Sequence, residues 1–142
     1  MPAADGPSRA WAVGPLHAIL LAGTVPLFLG ALLADLAYWS SAQIQWSNFA
    51  SWLIVGGLVY GAAALVCAVL SLLRASHRGG RAAGYTVLLA LAWATGLWDA
   101  LVHARDAWAV MPAGVVLSLL ATALACAATA IGLAGLRAGV AR

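Results

Sequence analysis

The residues best suited to chemistry in this chain lie in one stretch, residues 93–108, which holds two of the four acidic residues and one of the three histidines. Within it, Asp99 and His103 are four positions apart, so on a helix their side chains lie one turn apart on the same face. A carboxylate beside an imidazole can orient the ring toward a haem or a quinone. It can equally form a structural hydrogen bond that ties helices together. We favour the structural hydrogen bond and keep the ligand site as the alternative.

Other residues are candidates to complete a ligand site around this pair. Asp35 ends the first apolar segment and is expected to join the pair if the two helices are neighbours. Trp98 and Trp93 are expected to line the same site. His17 lies at the opposite end of the first segment and is a weaker candidate for binding a cofactor. A bilayer core of about 30 Å separates it from His103, so these two histidines cannot hold one haem.

No catalytic residue and no metal site is predicted. The sequence shows neither an activated nucleophile nor a phosphate-binding loop. Asp35, Asp99 and His103 offer three ligands from two helices, which leaves out the fourth ligand of a closed metal site. We therefore expect no cofactor, with haem or quinone as the alternatives at this site.

Composition predicts a membrane protein. Hydrophobic residues make up 65% of the chain, charged residues 8%, and the mean hydropathy is +0.99. Soluble domains are about half apolar and about a quarter charged. The net charge of +3 comes from seven arginines near the ends of apolar segments, a distribution that indicates topology and not a nucleic-acid-binding face.

Four apolar segments predict an all-α, integral membrane four-helix bundle. Each segment is long enough to cross a hydrocarbon core, which takes about 20 helical residues. The expected domain is 15–137, between short cytoplasmic tails at 1–14 and 138–142, and residues 38–48 are expected to form a loop in the headgroup layer. The predicted spans are about 16–37, 51–73, 82–103 and 112–136.

The arginines also predict an orientation. With a cytoplasmic N-terminus, six of the seven arginines fall on the inner side and only Arg105 on the outer side. Both termini are then cytoplasmic, and the protein is expected to be a multi-pass protein of a plasma membrane. The Asp99 and His103 pair would lie at the periplasmic side.

The polar residues also carry a resemblance to a known family. The pieces that match are Gly14 to His17, Asp35 to Trp39, Trp52 to Gly57, Asp99 to Asp106 and Pro112 to Ser118. Over nearly all of the chain from Gly14 to about Leu136, the sequence resembles a family of uncharacterised bacterial four-helix membrane proteins, catalogued as a domain of unknown function.

Two departures from the family pattern bear on the site. The first histidine of the family's opening pair is absent, and Asp99 stands where asparagine is common. The second departure makes the cluster more acidic and better able to hold a cation or a proton. The resemblance implies a membrane anchor or an electron-transfer partner, because related domains occur beside periplasmic redox modules.

These observations predict a non-catalytic accessory or anchoring subunit of a larger redox-type membrane assembly. Its partners would be the lipid bilayer and a second membrane protein or another copy of the chain. The alternative is a membrane electron carrier that binds haem or quinone, with His103 as axial ligand or hydrogen-bond donor and Asp99 orienting it. A proton channel through Asp35 and Asp99 is the weakest hypothesis, since the inner half of the bundle offers no matching polar pathway.

Overall fold

Four long helices make up the protein in a computed structural model that describes residues 14–74 and 80–140, with side chains described as far as residue 134. Helix α1 is Pro15–Ser41, α2 is Ile44–Leu73, α3 is Gly80–His103 and α4 is Ala113–Val140. All four are long and apolar enough to span a membrane. The described residues include no strand, and the prediction of an all-α four-helix membrane bundle is confirmed.

The helices form a ring in chain order. Helix α1 packs against α2 and α4, and α3 packs against the same two helices. Helices α1 and α3 are therefore diagonal partners, and their side chains meet only across the bundle axis. This matters for the polar cluster, because Asp35 belongs to α1 and its expected partners belong to α3.

Glycines allow the close approach at the centre of the bundle. The ring of Phe28 on α1 is 1% exposed and packs against both Gly57 of α2 and Gly96 of α3. A methyl group on Gly96 would lie 2.7 Å from the Phe28 ring, and one on Gly57 would lie 2.9 Å from it. The Phe28 ring thus takes the space that a side chain at either glycine would need, and the absence of side chains there lets the helices pack closely.

The expected loop over residues 38–48 is wrong. Helix α1 continues to Ser41, α2 begins at Ile44, and only Ala42 and Gln43 connect them. Ala42 adopts the left-handed conformation with φ of 53°, and its N–H donates to the Tyr38 carbonyl. Polar uncharged residues tolerate a helix here because a helical backbone satisfies its own hydrogen bonds where the headgroup layer begins.

The other connections are short where the structure describes them. Helices α3 and α4 are joined through a single 3-10 turn at Ala107–Ala109, whose first residue follows Asp106. The Asp106 carboxylate accepts a hydrogen bond from the Trp108 N–H at 3.3 Å. Residues 1–13, 75–79 and 141–142 are outside the described residues, so nearly all of the predicted N-terminal tail and the end of the predicted C-terminal tail fall there.

Candidate functional site

Helix geometry brings Asp99 and His103 together at the end of α3. Asp99 lies one turn before His103, the last residue of the helix. Asp35 lies in the last two turns of α1, at the same end of the bundle, and reaches them across the axis. We call Asp35, Asp99 and His103 the polar triad. Asp35 and Asp99 are 0% exposed, and the His103 side chain is 1% exposed.

The imidazole of His103 lies between the two carboxylates. Its Nε2 is 2.8 Å from Asp35 Oδ1. Its Nδ1 is 3.0 Å from the backbone oxygen of Asp99 and 3.1 Å from Asp99 Oδ1. Only the backbone oxygen has hydrogen-bond geometry toward Nδ1, so the Asp99 carboxylate is a close neighbour of the ring without accepting its hydrogen.

Three carboxylate oxygens of the triad have no hydrogen-bond partner among the described residues: Asp35 Oδ2, Asp99 Oδ1 and Asp99 Oδ2. A buried carboxylate is costly unless it is paired and hydrogen-bonded. Two buried carboxylates in a membrane helix bundle therefore indicate a functional site. The missing partner would be a proton, an ion or a ligand.

The first turn of α4 closes the triad from a third side. A methyl group on Gly114 would lie 3.1 Å from His103 Cε1 and 3.6 Å from its Nε2, so the α4 backbone is packed against the ring. The N-terminus of a helix also carries partial positive charge, which favours nearby carboxylates. Sequence reasoning did not identify Gly114, and its only signal was its place just after Pro112 at the start of an apolar segment.

A surface cleft reaches His103 from outside the bundle. Its volume is about 210 Å³, and it lies between α2 and α3. Ser51 and Val55 form one side, and Ala100, His103 and Ala104 form the other. His103 belongs to this lining through its backbone, since the residue is partly exposed while its side chain is only 1% exposed, so the ring lies behind the cleft and faces the two buried carboxylates.

The two tryptophans expected beside Asp99 lie elsewhere. Trp98 is 66% exposed and points away from the bundle, because it neighbours Asp99 in sequence and adjacent helical residues do not share a face. Trp93 is half-buried, and its Nε1 donates a 3.1 Å hydrogen bond to the Leu58 carbonyl of α2. It borders an apolar surface cleft with Leu65 and other residues, none of which belongs to the triad.

His17 is at the other end of the bundle, as expected from its position in α1. It is 6% exposed, and its Nε2 is 2.6 Å from the Tyr85 hydroxyl of α3. The two rings are tilted with centroids 5.6 Å apart. This contact ties α1 to α3 and does not bring His17 near the triad.

Residues 14–139 match the model of a protein family described as a predicted membrane protein (DUF2231). The match covers nearly all residues of the four helices. No curated protein and no solved structure matches the chain.

Proposed function

Since the chain belongs to the DUF2231 family of predicted membrane proteins, we propose that it is a non-catalytic subunit that anchors or supports a larger redox-type assembly. The proposal includes a bacterial inner membrane and cytoplasmic termini. The distribution of the arginines supports that orientation, with Arg105 alone at the triad end. The redox nature of the assembly is supported only by the redox modules that accompany related domains.

The observation that carries the anchoring role is the outward face of α4. Midway along this helix the exposed residues are small: Ala123, Cys126, Ala127 and Ala130. The outward faces of the other helices carry large side chains, such as Leu33 on α1, Val59 on α2, and Leu91 on α3. Small residues let two helix backbones approach closely, and in lipid such packing is a main source of helix association.

The occupant proposed for this face is a membrane-spanning helix of the partner protein. Inside the bundle, small residues already mark where helices meet, as Ala121 and Ala125 of α4 are fully buried. The α4 outward face has the same composition, but none of the described helices of this chain covers it. A lipid-facing surface gains nothing from small residues, because lipid chains pack as well against leucine.

Docking of a partner helix on the outward face of α4 predicts that Ala127→Leu weakens partner association by at least about tenfold, equivalent to roughly 1.4 kcal/mol. The added side chain would hold the partner helix away from the α4 backbone. The measurement is the amount of partner that co-purifies after gentle solubilisation from the native membrane. Ala94→Leu is the matched control, since Ala94 is an exposed small residue on α3.

The expected partner carries a haem, flavin or iron–sulfur group visible in its absorption spectrum. A wild-type chain that purifies as a stable monomer with nothing bound contradicts the anchoring role. Equal partner recovery from Ala127→Leu and wild type contradicts the α4 face as the docking surface. Recovery of a second copy of the chain alone would replace the partner by a homo-oligomer.

A second candidate function is a quinone-binding electron carrier, and the cleft beside His103 favours it. A volume of about 210 Å³ is below the roughly 300–1,000 Å³ of ordinary ligand pockets, so only a ring headgroup would enter. Haem is less well supported, because both ring nitrogens of His103 already face oxygens at 3.0 Å or less. Axial ligation would require His103 to leave Asp35.

This second function predicts that the purified protein has no Soret band and yields about one quinone per chain on solvent extraction. His103→Leu should remove the quinone, while Ala94→Leu should retain it. A Soret band that disappears in His103→Leu would instead identify the haem form of the carrier. Absence of both cofactors from protein prepared out of its native membrane would exclude the carrier.

A further inference from the structure

We propose that the polar triad is a binding site for one divalent transition-metal ion, held by His103 Nε2 and by carboxylate oxygens of Asp35 and Asp99. One donor atom from each residue lies within 4.8 Å of the others. The inference is independent of what docks on α4, and it concerns groups that the anchoring role leaves unused.

The hydrogen-bond pattern of the His103 imidazole determines which of its ring nitrogens carries the hydrogen. Nδ1 is 3.0 Å from the Asp99 backbone oxygen, which can only accept, so Nδ1 carries a hydrogen. In a neutral imidazole Nε2 then presents a lone pair, and it faces Asp35 Oδ1 across 2.8 Å. Two acceptor atoms approach this closely only with a positive centre between them, either a proton or a metal ion.

The orientation of His103 is the one common among histidine ligands. Such histidines usually donate their second ring nitrogen to a backbone carbonyl or a carboxylate, which fixes the tautomer and the ring plane. Here the Asp99 carbonyl accepts from Nδ1, and Nε2 is left for the ion. The packing of Gly114 against the ring holds the same orientation.

The distances show how far the donors must move to share an ion. Two ligand atoms with bonds of about 2.1 Å lie about 3.0 Å apart at right angles and about 3.4 Å apart at the tetrahedral angle. The 2.8 Å between His103 Nε2 and Asp35 Oδ1 is shorter than both values, so these two groups must separate slightly to admit the ion. The Asp99 carboxylate lies beside Nδ1, with Oδ1 3.1 Å from it, and must turn toward Nε2 to complete the set; none of the described residues hydrogen-bonds to its two oxygens to oppose this movement.

The negative charges of Asp35 and Asp99 independently favour a bound cation. Both carboxylates are 0% exposed, and in the part of the chain that the structure describes three of their four oxygens have no hydrogen-bond partner. A divalent ion with two carboxylates and a neutral imidazole makes a site of zero net charge, which is the least costly state in a low-dielectric interior. The ion also supplies the partners that the orphaned oxygens lack.

The ligand set selects the class of ion. One imidazole with two carboxylates contains no sulfur and mixes nitrogen with hard oxygen, which suits Zn²⁺, Fe²⁺ and Mn²⁺ and disfavours Cu⁺. Three protein ligands leave at least one coordination position open for water or another oxygen ligand. The surface cleft ends at His103, whose side chain is 1% exposed, so the ion and that ligand enter from this side only when the bundle opens locally.

The test is a titration of the purified full-length chain in detergent, stripped of metals by a chelator. Co²⁺ is the probe, because its visible d–d bands report coordination by protein ligands. We expect one tight equivalent and displacement of Co²⁺ by Zn²⁺. Failure of the wild-type protein to bind Co²⁺ or Zn²⁺ would overturn the proposal and leave a proton as the positive centre.

Asp35→Asn and Asp99→Asn should each weaken Co²⁺ binding by more than about 100-fold, beyond the usual 10–100-fold cost of losing an outer-shell partner. Asp106→Asn makes the same chemical change at an exposed residue of the same end and should bind as wild type. Folding of each variant is checked by circular dichroism. Unchanged binding in a folded Asp35→Asn or Asp99→Asn variant would overturn the assignment.

A second readout uses the wild-type chain and does not depend on how the variants fold. In protein labelled with ¹⁵N in histidine, Zn²⁺ should shift one ring nitrogen to the metal-bound range while the other nitrogen of that ring stays protonated. The His17→Gln variant should keep this signal, because His17 lies at the other end of the bundle. Ring nitrogens that do not respond to Zn²⁺ would contradict the site.

Discussion

Replacing His103 with leucine is expected to lower the free energy of unfolding by about 3–5 kcal/mol, the usual cost of removing one partner of a buried charged group. The imidazole is the only described group that hydrogen-bonds to a triad carboxylate, through Nε2 and Asp35 Oδ1. Its loss leaves two buried carboxylates facing each other. The measurement is reversible unfolding by SDS in mixed micelles, with a chelator present so that no metal contributes.

Removing the charges together should cost less than removing the imidazole alone. In the triple variant Asp35→Asn, Asp99→Asn and His103→Leu no buried charge remains in the triad, so much of the loss should be recovered. Asp106→Asn, an exposed change at the same end, should stay within about 0.5 kcal/mol of wild type. A triple variant less stable than His103→Leu would show that the charges are not what makes the single change costly.

Gly96→Val is expected to destabilise the bundle by about 3 kcal/mol, at the upper end of the range for overpacking a core. A Cβ at this position would lie 2.7 Å from two atoms of the Phe28 ring. One of these ring atoms, Cε1, is also the nearest neighbour of a Cβ placed on Gly57 of α2, so the ring is packed against both helices. The same SDS unfolding experiment measures the effect.

Gly84→Val is the matched control, because Gly84 lies on the same helix and a Cβ added there would have no atom within 4 Å apart from its chain neighbours and the backbone of its own helix. It should change stability by no more than about 0.5 kcal/mol. Phe28→Ala alone should lower the free energy of unfolding by about 3–5 kcal/mol. The double variant Phe28→Ala and Gly96→Val should lose less stability than the sum of the two single losses. Strict additivity would contradict the contact between them.

Much of the architecture follows from the sequence because lipid imposes simple rules. A run of about 20 apolar residues has to form a helix, since no water is present to satisfy an open backbone. Four such runs predict the four-helix bundle that the structure shows. The helix ends are less predictable: the polar residues from Tyr38 to Asn48 do not mark where the helices stop, because the backbone gains from staying helical beyond the apolar core.

The topology predicts that the triad residues lie at the same end of the bundle, but the helices that carry them are not neighbours as expected. Asp35 and His103 are on the same side of the membrane in any four-span arrangement with these segments. Their helices prove to be diagonal partners, and the contact between the two side chains is made across the bundle axis. Sequence spacing alone does not show which helices are opposite each other.

The tryptophans show a different limit of the sequence. Trp98 directly precedes Asp99 in the sequence, and this proximity predicts that its ring lines the site. Successive residues on a helix are rotated by about 100°, so burial of Asp99 turns Trp98 outward, where it is 66% exposed. The role of Gly114 is also out of reach of the sequence, since it depends on how the first turn of α4 meets His103 in three dimensions.

A double-mutant cycle between Asp35→Asn and His103→Gln tests most directly whether α1 and α3 build one buried polar cluster. The two residues are 68 positions apart in sequence and 2.8 Å apart in the structure. We predict a coupling energy of about 1–3 kcal/mol in SDS unfolding, whereas the control cycle between Asp35→Asn and His17→Gln should be additive. Additivity within about 0.5 kcal/mol for Asp35 and His103 would contradict the contact on which the cluster depends.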